Sequence, residues 1–181
     1  MIHTVQKICT GSFLPAALLI SKGHINPSEF VVDNNTGAMI PHYAAHYGNL
    51  KFIRFLENWY KKNSTKPFPD FHDSYDCSMM HYAVRQGHLP VLMYCAEILC
   101  QDITNRDKFG YNILEYSLMY KRLNCFIYLI YNRKFRDISP QLLENIAVTL
   151  CTPPTAEEKK GANCSISADG TTILTTTFKM V

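Results

Sequence analysis

An all-α solenoid of paired antiparallel helices joined by hairpin-like loops is the fold class this sequence predicts, on three observations. First, Ile40-Pro41-His42-Tyr43-Ala44-Ala45-His46-Tyr47-Gly48-Asn49-Leu50 and Met79-Met80-His81-Tyr82-Ala83-Val84-Arg85-Gln86-Gly87-His88-Leu89 are near copies. Self-similarity at a period of a few tens of residues marks a stack of repeats. Second, aligning Tyr43, Tyr82 and Tyr116 groups Ala44 with Ala83 and Ser117, Leu50 with Leu89 and Leu123, and Ile53 with Leu92 and Phe126. Third, His81 follows His42 by 39 residues and Glu115 follows His81 by 34, close to one unit of roughly 33 plus loop insertions. The third unit is diverged: Glu115 stands where His is expected, and Lys121 where Gly48 and Gly87 stand.

Each unit reads as two short helices. In the first, Pro41 to Tyr47 forms an inner helix, Gly48-Asn49 breaks it, and Leu50 to Tyr60 forms an outer helix with Leu50, Ile53 and Leu56 on one face. The second runs Met79 to Gln86, a Gly87-His88 turn, then Leu89 to Leu99, with Pro90 in the first turn where its missing N–H costs nothing. The third runs Ile113 to Tyr120 and Leu123 to Asn132. Polar connections separate them, Lys61 to Asp76 and Gln101 to Asn112, the latter carrying the turn chemistry of Asp107-Lys108-Phe109-Gly110.

Upstream, Phe13 to Ile20 with its exit turn Ser21 to Asn26 has the look of another outer helix. Its inner partner has to come from Met1 to Thr10, which lacks the signature. Downstream, Ser139-Pro140 is a helix start, opening Pro140 to Leu150 as a capping helix. From Thr152 the chain is poor in core residues and reads as a disordered tail, with Thr172 to Phe178 a stray strand. The expected organisation is a partial N-terminal repeat or cap over 1–32, repeats over 33–72, 73–106 and 107–137, a capping helix over 138–151 and a tail over 152–181. The half-formed first unit and atypical tail fit a fragment or variant of a longer array.

Composition narrows the class. The chain has 181 residues, 47% hydrophobic and 18% charged, as one globular, soluble domain does. A net charge of +3 argues for neither nucleic acid nor membrane, since phosphate binding needs a concentrated basic patch. Seven cysteines without regular spacing, in a chain too large to need disulfide staples, fit a reducing compartment, cytoplasmic or nuclear. The run Ile8 to Ile20 loosely resembles a secretory signal, but Thr10, Gly11, Ser12 and Pro15 interrupt it. The Asn63-Ser64-Thr65 and Asn163-Cys164-Ser165 sequons matter only if the chain is secreted.

The pattern resembles the ankyrin-repeat family, whose unit opens Asp-x-x-Gly-x-Thr-Pro-Leu-His-x-Ala-Ala-x-x-Gly-His. Asp73 to His88 tracks it with Asp76 for the first Gly and Ser78 for Thr; Gly37 to Asn49 tracks it with Met39 for Thr; Asp107 to Glu115 supplies the third. The resemblance covers about Asn34 to Asn132, and Phe13 to Asn26 in part. It implies a protein–protein interaction module, scaffold or adaptor, without catalysis, cofactor or small-molecule substrate. It also implies that His42, Gly48, His81, Gly87 and Gly110 serve architecture. Loop tips and the inner-helix face would meet the partner protein: Ala38, His46 and Tyr47; Ser74, Tyr75, Arg85 and Gln86; Lys108, Tyr111, Met119 and Tyr120. Tyr43, Tyr82 and Tyr116 fit either that face or packing.

Two rival readings carry named residues. A zinc-stabilised domain would use Cys77, His81, His88, Cys95 and Cys100, although the repeat signature already employs both imidazoles. A nucleic-acid surface would use Lys121, Arg122, Arg133, Lys134 and Arg136 with Phe126, Tyr128, Tyr131 and Phe135, although Phe126 falls on a core position. No phosphate-cradling loop, Gly-x-Ser-x-Gly or His-Glu-x-x-His motif points to an enzyme.

Overall fold

The computed structural model describes residues 2–27, 29–64 and 68–131. Four helix pairs follow one another: α1 (Ile2–Cys9) with α2 (Leu14–Ser21), α3 (Ile40–His46) with α4 (Leu50–Asn63), α5 (Met79–Gln86) with α6 (Leu89–Met93), and α7 (Ile113–Met119) with α8 (Leu123–Tyr131). The first helices of the pairs stack in a row, α1 on α3, α3 on α5 and α5 on α7, each also packing on its own outer helix. Small side chains permit this: Ala44, Ala45, Ala83 and Ser117 are all buried between layers. The core is continuous along the stack, running from Ile8 and Ile20 through Ile53, Leu56, Met80 and Leu92 to Leu114 and Leu129.

One backbone motif ends every inner helix. Gly11, Gly48, Gly87 and Lys121 are left-handed, with φ of 79°, 64°, 82° and 53°. The residue after each donates its N–H five residues back: Ser12 to Lys7 (2.8 Å), Asn49 to Ala44 (2.8 Å), His88 to Ala83 (2.9 Å) and Arg122 to Ser117 (2.7 Å). Such a turn satisfies carbonyls that the helix leaves open and reverses the chain into the outer helix. Glycine is required most at Gly48, where a Cβ would lie 2.6 Å from His88 Nδ1. The motif at Gly11 makes α1 the missing inner helix of the first pair.

A short antiparallel hairpin precedes each of the last three inner helices. β1 (Val31–Asp33) pairs with β2 (Ala38–Met39), and single bridges join His72 to Ser78 and Arg106 to Asn112. Neighbouring hairpins are tied by backbone bonds, Ser74 N–H to the Thr36 carbonyl (2.8 Å) and Lys108 N–H to the Tyr75 carbonyl (2.9 Å).

The second outer helix departs from expectation. Rather than an α-helix from Leu89 to Leu99, the α-form stops at Met93 and Tyr94–Ile98 forms a π-helical turn. This wider turn accommodates one extra residue, with a visible effect on register. Tyr94 donates its hydroxyl to Glu57 Oε2, and Tyr128 donates to Glu97 Oε1 (2.9 Å). Glu57 would align with Ala96 at the 39-residue spacing of His42 and His81; the π-turn brings Glu97 there instead.

The expected capping helix, the tail with its stray strand, and Arg133, Lys134, Phe135 and Arg136 lie outside the described residues. Among those described, no helix is long and apolar enough to cross a membrane.

Candidate interaction surface

Each of the last two hairpins is locked to its inner helix by an aspartate and a tyrosine nine residues apart. Asp73 Oδ1 accepts the Tyr75 and Cys77 N–H groups (2.8 and 2.9 Å) while its Oδ2 accepts the Tyr82 hydroxyl (2.8 Å). Asp107 repeats this with Phe109 and Tyr111 N–H (3.0 and 2.8 Å) and the Tyr116 hydroxyl (2.7 Å). Burial, and then Asp73 for Tyr82 or Cys77 and Asp107 for Tyr116, push both phenols above their ordinary range. Tyr43 differs, because Asp33 bonds Asn35 N–H and the Thr36 hydroxyl instead. Its phenol is raised to about 12 by burial and by Cys9.

The two signature imidazoles are committed on both sides. His42 Nδ1 accepts the Met39 N–H (3.0 Å), so the proton sits on Nε2, which donates to the Phe71 carbonyl of the next hairpin (3.2 Å). His81 does the same with Ser78 N–H (3.1 Å) and the Tyr111 carbonyl (3.4 Å). Each ring also packs on the next tyrosine, His42 on Tyr82 at 5.1 Å and His81 on Tyr116 at 5.0 Å. Burial holds both at about 4, below the usual 6.5, so they are neutral near pH 7. In the third unit Glu115 Oε2 accepts the Asn112 N–H (2.7 Å) and pairs with Arg106 (3.1 Å). A carboxylate reproduces the cap but has no proton to give a following hairpin.

Inner-helix carbonyls at equivalent positions are capped by the next unit. Tyr47 donates to Cys9, His88 Nε2 to His46 (2.9 Å) and Arg122 Nε to Arg85 (2.9 Å). Three chemically different side chains therefore fill one role, which hides it from sequence alignment.

Hairpins and inner helices together bound a cavity of about 380 Å³ lined by Thr36, Asp73, Tyr75, Cys77, His81, Tyr82, Arg85, Phe109 and Tyr116. Tyr75 stacks on Phe109 across neighbouring tips at 6.1 Å and 19°, the rings 42% and 64% exposed. Arg85 donates Nε to the Tyr120 hydroxyl (2.9 Å) and lies 5.1 Å from that ring's centre.

Of the expected contact residues, Tyr75 and Arg85 line this cavity. Ser74 and Lys108 are exposed at the tips, joined by Lys108 Nζ to the Ser74 carbonyl (2.6 Å). His46, Gln86, Met119 and Tyr120 are half-buried at the other end of the inner helices, where Gln86 Nε2 reaches His46 Nδ1 at 3.4 Å. Tyr47 is 40% exposed but packs over Gly11. Tyr111 is half-buried and gives its carbonyl to His81. Ala38 is corrected: at 1% exposure in β2, it points into the core and cannot touch a partner. Phe109 was missed, though its place beside Gly110 at a hairpin tip could have flagged it.

The rival readings fare differently. Among the described residues no three His, Cys, Asp or Glu side chains converge as metal ligands, and Cys95 is buried in the outer layer. For the basic aromatic surface, Phe126 is buried, Tyr128 is bonded to Glu97 and Arg122 caps Arg85. Cys77 lacks the setting of a nucleophile, since burial pushes its thiol up to about 11. Tyr116 gives its proton to Asp107, so the Cys77 thiol 3.5 Å away is the donor to Tyr116.

A family model described as ankyrin repeats in three copies matches residues 42–141. The chain belongs to the ankyrin-repeat family. It is therefore an interaction module built for a protein partner, in a family that is generally non-catalytic. A solved chain in the crystal structure of the yeast ribosomal protein Rps3 in complex with its chaperone Yar1 superposes with a TM-score of 0.61 at 18% identity, covering 75% of this chain and 92% of that one. At that identity the likeness concerns the ankyrin fold alone. No curated protein matches this ankyrin chain.

Proposed function

We propose that this chain is a non-catalytic scaffold or adaptor that holds a partner polypeptide against the concave face formed by its hairpin tips and inner helices. One observation carries the reading: the exposed Tyr75–Phe109 stack stands over a cavity beside Arg85, while the surrounding Asp, His and Tyr groups are tied up internally. Aromatic and arginine side chains make effective anchors because they offer large or multidentate contact area at little entropic cost. On this reading the units divide at about 1–32, 33–72, 73–106 and 107–137, with β1 (Val31–Asp33) spanning the first division, and the expected cap over 138–151 lies outside the described residues. Free thiols at Cys9, Cys77, Cys95, Cys100 and Cys125 support a cytoplasmic or nuclear setting.

The test places a photo-crosslinking amino acid at Phe109, and separately at Asn58 on the exposed side of α4. A polypeptide adduct from position 109 and none from 58 is expected in cell extract. Adducts confined to position 58 would refute the concave face.

A further inference from the structure

The four turns that join inner to outer helices lie side by side as one edge of the molecule. Tyr47 bonded to Cys9, His88 to His46 and Arg122 to Arg85 tie each turn to the next. The Tyr47 ring lies over Gly11, the His88 ring over Gly48 and the Arg122 side chain over Gly87. Between the first two turns Gly11, Tyr47, Gly48, Asn49, Lys51 and Arg54 border a cavity of about 540 Å³.

Charge on this edge has one sign. Lys7, Lys51 and Arg54 are exposed there, and Lys121 and Arg122 are half-buried. Stretches 2–27, 34–56, 77–96 and 116–131, which supply every turn, contain no Asp or Glu. Among the described residues the carboxylates lie in the hairpins and connections, at Glu115 where α7 begins, and at Glu57 and Glu97 farther along the outer helices. Glu57, the one nearest Arg54 in sequence, is buried and already met by Lys61 (2.7 Å) and the Tyr94 hydroxyl. Arg85 is not counted here, because it lines the hairpin-side cavity together with Asp73. Burial lowers the pKa of both His46 and His88, so these rings add no charge near pH 7.

The fold gains nothing from these cations. A helix start favours negative charge, yet none of the four outer helices has an acidic residue in its first turn and α4 carries Lys51 there. Cations repelled by one another and by a helix start are relieved by an anion from outside.

We infer that this turn edge, separate from the concave face, docks an extended acidic segment of a partner polypeptide. Packed helices lie about 8–10 Å apart and an extended chain advances about 3.3–3.6 Å per residue, so a carboxylate at every third residue meets the cations of successive units. Single-stranded nucleic acid would also need open ring faces for its bases. Here the Tyr47 ring is packed over Gly11 and beside Phe13, and the Tyr120 ring is covered by Arg85.

The probe is fluorescein-labelled Gly-Glu-Glu-Asp-Glu-Glu-Asp-Glu-Glu-Gly, titrated by anisotropy against the full chain. Saturable binding that weakens with salt is expected, and none with the same peptide carrying Gln and Asn in place of Glu and Asp. Lys7→Glu with Lys51→Glu should weaken binding about tenfold, and Lys51→Glu alone about threefold. Lys22→Glu with Lys108→Glu makes the same change in net charge at exposed sites off the edge, and should weaken it less than about twofold. Lys51→Glu puts a carboxylate where the start of α4 favours one, so its loss of binding cannot be ascribed to a weakened helix; urea midpoints check the fold of every variant. No saturable signal at millimolar peptide, or equal losses in the edge and off-edge variants, would overturn the inference. Tighter binding of polyuridine or of phosphatidylserine vesicles, lost with Lys51→Glu, would overturn it in favour of nucleic acid or membrane. Neither Lys7 nor Lys51 borders the concave cavity, so these results and crosslinking at position 109 stand or fall separately.

Discussion

Acidification should unfold this protein through two imidazoles. His42 and His81 are 0% and 1% exposed, and burial holds both at about 4 against 6.5 for an ordinary histidine. Between those values the unfolded chain binds protons that the folded chain refuses, so stability rises with pH across that window. It is complete above about pH 6.5 and is lost as pH falls toward 4. At about 1.4 kcal/mol per pKa unit, each imidazole contributes about 3 kcal/mol over the whole window, and about 2 kcal/mol is already gone at pH 5. For the pair that is about 4 kcal/mol at pH 5, a large share of the roughly 5–15 kcal/mol that holds a typical domain together.

Urea titrations followed by circular dichroism from pH 7.5 to 4.5 measure the slope. Its source is isolated by the double change His42→Gln with His81→Gln. A Gln side chain can accept the cap N–H through its oxygen and donate to the next hairpin through its amide, without titrating. The carboxylates, including Asp70, whose pKa is raised by burial, are the same in both proteins and cancel in the comparison. Stability that is flat from pH 7 to 5 in the unaltered protein, or a slope undiminished in the double variant, would refute the argument.

Further predictions concern stability. Lys121→Gly relieves a left-handed residue at φ 53° and should raise stability by about 1 kcal/mol, seen as a higher urea midpoint. Gly48→Ala should do the opposite and cost more, since its Cβ would press on His88 Nδ1 at 2.6 Å. Tyr94→Phe should cost about 1–3 kcal/mol because it takes a donor from Glu57, which is 8% exposed, whereas Tyr128→Phe should cost well under that since Glu97 is exposed; equal losses would sink the distinction. Tyr116→Phe removes the Asp107 bond and the acceptor of the Cys77 thiol, and a loss of about 1–2 kcal/mol by chemical denaturation is expected.

Much of the architecture was legible because its cause is local. The Gly48 and Gly87 turns, the His42 and His81 caps and the alanines between layers each depend on a residue type at a set distance from its neighbours. The first inner helix was hidden because α1 keeps the turn glycine, Gly11, and loses the histidine six residues before it. The candidate surface was less legible. Ala38 sits in a hairpin, which in sequence suggests exposure, yet its short strand lies against the core. Asp73 and Asp107 looked like turn residues; that their second oxygens hold Tyr82 and Tyr116 emerges only when hairpin and helix are folded together.

Periodicity was enough to establish that this chain stacks helix pairs, since glycine turns, small inner residues and apolar outer faces act within one unit and recur in register. How the units meet was settled by the assembled chain. The π-turn at Tyr94–Ile98 that presents Glu97 to Tyr128, and the carbonyls of Cys9, His46 and Arg85 capped by Tyr47, His88 and Arg122, join residues distant in sequence. Their physical reason is the need of carbonyls near helix ends and of carboxylates for hydrogen-bond donors, which the neighbouring unit supplies. Whichever donor can reach will satisfy that need, so residue identity does not predict it.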